Sequence, residues 1–240
     1  MTAKDLAHDM PARVLYRDGL MLVIDKPIGL PVHRGPKGGA SLEDYFDALR
    51  YGLPRSPALA HRLDKDTSGC LVLGRHRKAL AHLGLLFKHG KVGKTYWAVV
   101  EGGPTADTGT IDLALGRLDA TRGWWMKPDP NGLPSVTTWR VLGRAAGHAW
   151  LALEPITGRT HQLRVHCAAM GWPIVGDTIY GNAPRTGGPV QHLHAREIVV
   201  PLYPKREAIR VTAPVPEHMH ERLAACGFVD DADVVASMGG

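Results

Sequence analysis

Short apolar stretches separated by Gly, Pro and Asp run along most of the chain, a pattern typical of β-strands joined by turns. Residues 14–16 and 20–24 flank Arg17-Asp18-Gly19 and predict a hairpin, because Asp-Gly tolerates the positive φ angles of a tight turn. The run at 70–74 is apolar at nearly every position, as expected of a buried strand. Further strands are predicted at residues 96–100, 111–118, 135–142, 148–153, 192–195 and 197–201.

Four segments instead carry apolar residues at the spacing of a helix. The first begins at Ser41, which resembles a capping-box residue with Asp44 three positions later, and should continue to about Tyr51. The fourth should close the chain before a loose, Asp- and Gly-rich tail. The four helices are predicted at residues 41–51, 78–88, 160–170 and 217–226.

Composition limits the kind of protein this can be. With 240 residues, 44% of them hydrophobic and 22% charged, the chain can bury a substantial core. We expect one catalytic domain at residues 14–228, between an N-terminal extension at 1–13 and a flexible tail at 229–240. A net charge of +6 favours a polyanionic partner, because basic side chains that neutralise phosphates release bound counterions.

Several classes of protein are disfavoured by what the sequence contains. The three cysteines form neither a CxxC motif nor a paired framework, which argues against a disulfide scaffold and a zinc site. His161 and His166 are five positions apart, and no Glu completes a metal-binding helix motif, so no metal cofactor is expected. The polar residues 1–11 and the lack of a long apolar run argue against secretion and membrane insertion. We therefore expect a cytoplasmic protein.

The strongest chemical signal is the segment HRLDKDTSG at residues 61–69, which sets Asp64 among basic side chains. A neighbouring arginine favours the ionised carboxylate, which suits Asp64 to attack or to orient a substrate rather than to donate a proton. The segment also joins two apolar stretches and so should present Asp64 at a cleft. On residue chemistry alone, a solvated surface turn explains the segment equally well.

Four segments together resemble the RluA-type pseudouridine synthases in sequence, order and spacing. They are DKPIGLPVH at 25–33, HRLDKDTSG at 61–69, KTYWA at 94–98 and GRTHQLRVH at 158–166. The resemblance extends over residues 14–203. It implies an α+β fold, a mixed and largely antiparallel β-sheet with flanking helices and a central catalytic cleft, and isomerisation of uridine in RNA without a cofactor.

The resemblance also implies the roles of three catalytic residues. Asp64 would be the catalytic carboxylate, and Arg164 the guanidinium that pairs with it and keeps it charged inside a base-binding pocket. Arg159 is an alternative candidate for this pairing. Tyr96 would stack on the detached uracil, with its hydroxyl placed for proton movement at carbon 5.

Further residues are assigned to substrate binding. The resemblance places Arg62 where a side chain enters the space vacated by a flipped-out base, although a salt bridge to a nearby carboxylate remains an alternative. Lys94 could contact phosphate or remain a solvated lysine. His61, Arg159 and His161 complete the proposed substrate-binding set, His61 chiefly as a support for the turn.

The partner implied is a structured RNA, a ribosomal or transfer RNA stem-loop, bound by a monomer without any small-molecule cofactor. Trp124 and Trp125 lie beside Arg122 and Lys127, where they could stack on unpaired bases or simply pack a hairpin. Two other functions remain alternatives. One is a noncatalytic RNA-binding protein, and the other is a carboxylate-dependent hydrolase, for which Glu154 is the only nearby second carboxylate.

Overall fold

The computed structural model describes residues 9–35, 38–119 and 124–230. They form two compact units, one from the described parts of Met1–Tyr96 and Leu193–Pro214, the other from those of Trp97–His192 and Val215–Gly240. The helices are α1 (Arg77–Lys88), α2 (Gln162–Ala169) and α3 (Glu217–Ala225), with 3-10 helices at Met10–Arg13 and Leu42–Leu49. The strands are β1 (Val14–Arg17), β2 (Met21–Lys26), β3 (Ala58–Leu59), β4 (Ser68–Gly74), β5 (Gly93–Glu101), β6 (Thr108–Asp112), β7 (Leu115–Arg117), β8 (Met126–Pro128), β9 (Val136–Ala145), β10 (His148–Pro155), β11 (Leu193–Val200) and β12 (Ile209–Thr212).

Unit 1 is built on a mixed sheet. Its strand order is β1-β2-β4-β11, followed by the first residues of β5, with β3 beside β4 and β12 beside β11. The β4 and β11 pair is parallel, whereas β1–β2, β2–β4, β3–β4 and β11–β12 are antiparallel. The mixed, largely antiparallel sheet expected from the resemblance is therefore present.

Both faces of the unit 1 sheet are covered, which explains why its central strands are apolar at successive positions. In β2, Leu22 and Ile24 point into one core, which the 3-10 helix Leu42–Leu49 helps to build. Met21 and Val23 point into a second core that includes Leu83 of α1. Because side chains alternate along a strand, a run with no polar interruptions supplies both cores.

Unit 2 contains an antiparallel sheet of β10, β9 and β6 beside the last residues of β5, and a separate β7–β8 hairpin. Helix α3 buries Met219 and Leu223 in a cluster with Val99 and Trp150. Helix α2 is almost fully buried over its first six residues, charged side chains included. Its charged residue Arg164 therefore lies in the interior and needs a partner there.

The α+β fold class is confirmed, and several boundaries need correction. The helix predicted at 41–51 is a 3-10 helix at Leu42–Leu49, a difference that the pattern cannot detect because both helix types bury residues three to four apart. The strand predicted at 111–118 is two shorter ones, and the two predicted at 192–201 are the single strand β11. The short strands β3, β8 and β12 were missed. Most of the predicted extension at 1–13 and tail at 229–240, like Arg122, lies outside the described residues.

Candidate active site

Asp64 lies in the loop that leads into β4, and the backbone on both sides of it is anchored. Leu63, only 5% exposed, packs into the core of unit 1 beside Leu71 and Leu73. On the other side the Thr67 amide donates to the Asp64 carbonyl at 3.2 Å and closes a turn. The Asp64 side chain next to Leu63 is half-buried.

The glycine of the same segment is required by the parallel pairing of β4 with β11. Gly69 lies opposite Ala195 with a φ of +103°. A Cβ at this position would lie 2.3 Å from the Ala195 carbonyl oxygen, so any side chain would force the strands apart. The Ser-Gly ending of the segment thus marks where the loop enters the sheet.

Lys26, at the end of β2, anchors the backbone of the Asp64 loop. Its fully buried ammonium donates to the carbonyls of Pro27 at 2.8 Å, Lys65 at 3.0 Å and Thr67 at 2.9 Å. The Gly29 amide also donates to the Lys65 carbonyl, at 3.0 Å. The segment at 25–33 therefore braces the loop that carries Asp64, a role that sequence reasoning missed.

Burial governs the protonation of Lys26. It lowers the pKa of Lys26 to about 7, although the charges of Asp66, Asp64 and Asp25 act in the opposite direction. The lysine contributes to the site through hydrogen bonds to the loop backbone. The sequence gives one local signal for this role, because Asp25 and Lys26 directly follow the apolar run at 20–24 and precede a proline.

Tyr96 packs against the same core cluster as Leu63. Burial raises the pKa of the Tyr96 phenol, and the negative charge of Asp64 raises it further. The hydroxyl therefore stays protonated at neutral pH, within electrostatic reach of the carboxylate. Lys94, two residues earlier on β5, has a pKa lowered by burial.

The contacts of His61 are with β4 and α1. Its Nε2 accepts the Val72 amide at 3.0 Å, and its ring stacks on Phe87 with centroids 4.4 Å apart. Burial, and then the charge of Lys94, lowers the pKa of His61 to about 3, so the ring is neutral at physiological pH. This agrees with the support role, while a contact of His61 with substrate stays a prediction. Arg62 is exposed.

Arg164 of unit 2 is buried and forms a bidentate ion pair with Asp177. Its Nε donates to Asp177 Oδ2 at 2.7 Å and its Nη2 to Oδ1 at 2.8 Å. Asp177 Oδ1 also accepts the amides of Ile179 at 2.9 Å and Tyr180 at 3.0 Å. Burial by itself would raise the pKa of Asp177, but these bonds and the guanidinium charge keep it below its usual value.

Asp177 was not singled out from the sequence, although a signal was available. It follows the buried residues Ile174 and Val175, and a carboxylate directly after a buried segment needs a charged partner. Arg164 and Asp64 belong to different units, and their predicted pairing stays a prediction.

The rest of the segment at 158–166 mostly holds the start of α2 in place. Gln162 donates to the Val136 carbonyl at 2.9 Å and accepts the Arg159 amide at 3.0 Å. Arg159 is exposed, and its Nε donates to the Pro134 carbonyl at 3.2 Å. His161 adopts a left-handed conformation with φ of +53° and lies 2.7 Å, Nδ1 to Oη, from Tyr180. Arg159 and His161 remain candidates for binding RNA.

Among residues 9–35, 38–119 and 124–230, no group of three or more His, Cys, Asp or Glu side chains is arranged to hold a metal ion. No helix in this part of the chain is both long enough and apolar enough to cross a membrane. Cys70, Cys167 and Cys226 are buried free thiols.

Comparison with known proteins gives a consistent result. Residues 20–169 match the family model described as RNA pseudouridylate synthase. An uncharacterized RNA pseudouridine synthase of Zymomonas mobilis is 42% identical over 207 residues, 85% of this chain and 94% of that protein. The ribosomal large subunit pseudouridine synthase D of Buchnera aphidicola is 34% identical over 244 residues, 92% of this chain and 77% of that protein. The solved structure of human RNA pseudouridylate synthase domain containing 4 superposes with a TM-score of 0.76 and 29% identity, covering 92% of this chain and 96% of that one.

The fold and these matches define an enzyme of the isomerase class that acts on RNA. The chain belongs to the RluA-type family of RNA pseudouridine synthases.

Proposed function

We propose that this enzyme converts a specific uridine of ribosomal RNA to pseudouridine, with Asp64 as its catalytic carboxylate. The observation that carries the proposal is the anchoring of Asp64. Lys26 donates to two carbonyls of the Asp64 loop, those of Lys65 and Thr67, and the charge of Asp64 acts on the Tyr96 hydroxyl. A preorganised carboxylate beside a protonated phenol suits a reaction that breaks a glycosidic bond and moves a proton.

The isomerisation balances within a single nucleotide. The bond between uracil nitrogen 1 and the ribose anomeric carbon breaks, the base turns, and a bond from carbon 5 to the same anomeric carbon forms. The hydrogen on carbon 5 leaves as a proton, and nitrogen 1 gains one. Asp64 attacks the anomeric carbon, attacks uracil carbon 6, or removes a ribose proton, and each route requires its ionised form. Arg164 would pair with this carboxylate.

A base inside a stem-loop cannot reach Asp64 while it is stacked, so the nucleotide must be flipped out. Arg62 supports this step, because it is exposed and two residues from Asp64, where its side chain can fill the gap left by the base. The basic balance of the chain supports binding of the phosphate backbone. Ribosomal RNA is preferred to transfer RNA because of the named role of the Buchnera relative. The enzyme would act as a cytoplasmic monomer.

The test uses RNA from a strain that lacks the gene. Wild-type protein and Asp64→Asn are incubated with this RNA, and pseudouridine is mapped by carbodiimide-dependent stops in primer extension. We expect stops at one or a few ribosomal uridines with wild type and none with Asp64→Asn, since the amide cannot act as nucleophile or base.

The matched control is Asp47→Asn, which removes an exposed carboxylate elsewhere in unit 1. It should give the wild-type stops. Equal modification by wild type and Asp64→Asn would contradict the role of Asp64. Stops only in transfer RNA would contradict the choice of ribosomal RNA while leaving the chemistry intact.

A further inference from the structure

One edge of unit 2 combines an exposed aromatic ring with two cations. Trp124, two positions before β8 begins, is 57% exposed. Arg117 on β7 and Lys127 on β8 are exposed on the same hairpin, where Arg117 pairs with Met126 and Gly116 with Lys127. We call Arg117, Trp124 and Lys127 the hairpin surface. Aromatic rings beside basic side chains are suited to stacking unpaired bases and contacting their phosphates.

The inner edge of this surface continues into a connected set of side chains. Trp124 meets the ring of His161 edge to face, with centroids 5.3 Å apart. His161 Nδ1 lies 2.7 Å from the Tyr180 hydroxyl, which also accepts the Met126 amide at 2.9 Å. The hydroxyl can accept the amide and donate its own hydrogen to Nδ1. Tyr180 therefore connects β8 to His161, the residue directly before α2.

The same tyrosine touches the buried ion pair. The Arg164 guanidinium lies over the Tyr180 ring, 5.2 Å from its centroid. The Tyr180 amide donates to Asp177 Oδ1 at 3.0 Å. His161 is held with φ at +53°, which is uncommon for a residue other than glycine and persists only where neighbouring contacts enforce it. The contacts thus run without a gap from the exposed indole to Arg164.

We propose that an unpaired nucleobase of the substrate RNA stacks on Trp124, and that Tyr180 is the positioning residue that couples this stacking to the orientation of Arg164. The inference rests on the proposed function, because Arg164 matters through the reaction it supports. Stacking on Trp124 restrains the indole and the His161 ring behind it. The Tyr180 hydroxyl, bonded to His161 and to β8, then holds the ring that packs on the guanidinium.

Two variants separate the two parts of the proposal. Trp124→Ala removes the stacking ring, whereas Tyr180→Phe removes only the hydroxyl and keeps the ring beside Arg164. Leu85→Ala, an exposed apolar residue of α1, is the control for the first change. Tyr203→Phe, which deletes a hydroxyl bonded to Asp18 in unit 1, is the control for the second.

The first measurement is the affinity for a 12-nucleotide oligouridine by fluorescence anisotropy, which needs no catalysis. Trp124→Ala should bind about tenfold more weakly, the effect of losing one stacked base. Tyr180→Phe and both controls should bind within about twofold of wild type, because the hairpin surface is intact in each. Wild-type affinity in Trp124→Ala would overturn the stacking role.

The second measurement is the single-turnover rate at saturating concentration of a stem-loop that the wild type modifies. Trp124→Ala and Tyr180→Phe should each slow this rate about tenfold, and Trp124→Ala should slow it no further when Tyr180 is already Phe. The coupling is refuted if the two effects multiply, or if Tyr180→Phe reacts at the wild-type rate. Tyr203→Phe should react at the wild-type rate. A slow Tyr203→Phe would show that losing any hydrogen-bonded tyrosine hydroxyl slows the reaction, and it would refute a specific role of the Tyr180 hydroxyl. Absence of pseudouridine with wild type would instead refute the proposed function, and with it the coupling, while the affinity measurement would still decide the stacking role.

Discussion

Each unit contains one buried basic side chain among its candidate site residues, Lys26 in unit 1 and Arg164 in unit 2. The two side chains have different kinds of hydrogen-bond partner. Lys26 of unit 1 has three neutral carbonyls as hydrogen-bond acceptors, all from the segments around the Asp64 loop. Arg164 of unit 2 has the carboxylate of Asp177, which also accepts two backbone amides. Both cations are almost inaccessible to water.

The difference separates two tasks. Carbonyl dipoles orient an ammonium but only partly replace its hydration, and burial accordingly lowers the pKa of Lys26 to about 7. A carboxylate compensates a full charge, and a guanidinium stays protonated in any case, so the Arg164 pair is insensitive to pH near neutrality. Lys26 therefore orders the backbone of the Asp64 loop. The ion pair with Asp177 instead orients the Arg164 side chain.

The largest effect is expected for Asp177→Asn, which tests whether a charged partner is essential in unit 2. The amide keeps the shape but removes the negative charge that Asp177 places against the buried guanidinium, which should cost about 3–5 kcal/mol in the free energy of unfolding. Urea denaturation followed by tryptophan fluorescence measures this. Asp107→Asn breaks the exposed pair with Arg144 in the same unit and should cost at most about 1 kcal/mol. Equal losses in the two variants would show that burial of the Arg164 pair has no energetic consequence.

Lys26→Met is the corresponding change in unit 1 and should cost less. It leaves no buried cation without a partner, but it leaves loop carbonyls without their donor, for a loss of roughly 2 kcal/mol. Pseudouridine formation should fall more than tenfold, because the Asp64 loop loses its brace. Lys88→Met, an exposed lysine of α1, is the control and should change neither quantity. Wild-type activity in Lys26→Met would remove Lys26 from the explanation of the site.

The pH dependence of stability sharpens the same contrast. The pKa of Lys26 is about 7 in the folded protein and 10.5 without burial, so between these values the unfolded chain binds more protons. Stability due to this group therefore rises with pH from about 7 to 10.5 and decreases as the pH is lowered through that window. The difference in unfolding free energy between wild type and Lys26→Met should grow across the window. A constant difference would mean that Lys26 keeps an ordinary pKa.

The two anchors also mark what could and could not be predicted from the sequence. The strands around residues 20–24 and 70–74, and the segments containing Asp64 and Arg164, follow from local pattern and family resemblance. The partners of the two cations do not, because they are distant in the chain: Lys26 reaches carbonyls 39 and 41 positions away, and Asp177 lies 13 positions after Arg164. From the sequence alone, a lysine at the end of a strand is expected on the surface. Its burial is explained only by the folded structure, in which loop carbonyls accept its hydrogen bonds.

The smallest effect is expected for His61→Phe, which tests a neutral contact of unit 1 for comparison with the charged Lys26. Phenylalanine keeps the stacking on Phe87 but cannot accept the Val72 amide, a loss of about 1 kcal/mol. Because the pKa of His61 is lowered from 6.5 to about 3, its contribution is present above pH 6.5 and is lost as the pH falls toward 3. The advantage of wild type over His61→Phe in urea denaturation should therefore shrink between pH 6.5 and 4, whereas His82→Phe, at an exposed position of α1, should match wild type throughout. An advantage that grows on acidification would mean that His61 is protonated in the folded enzyme and faces a negative charge, as a residue that contacts RNA phosphate would.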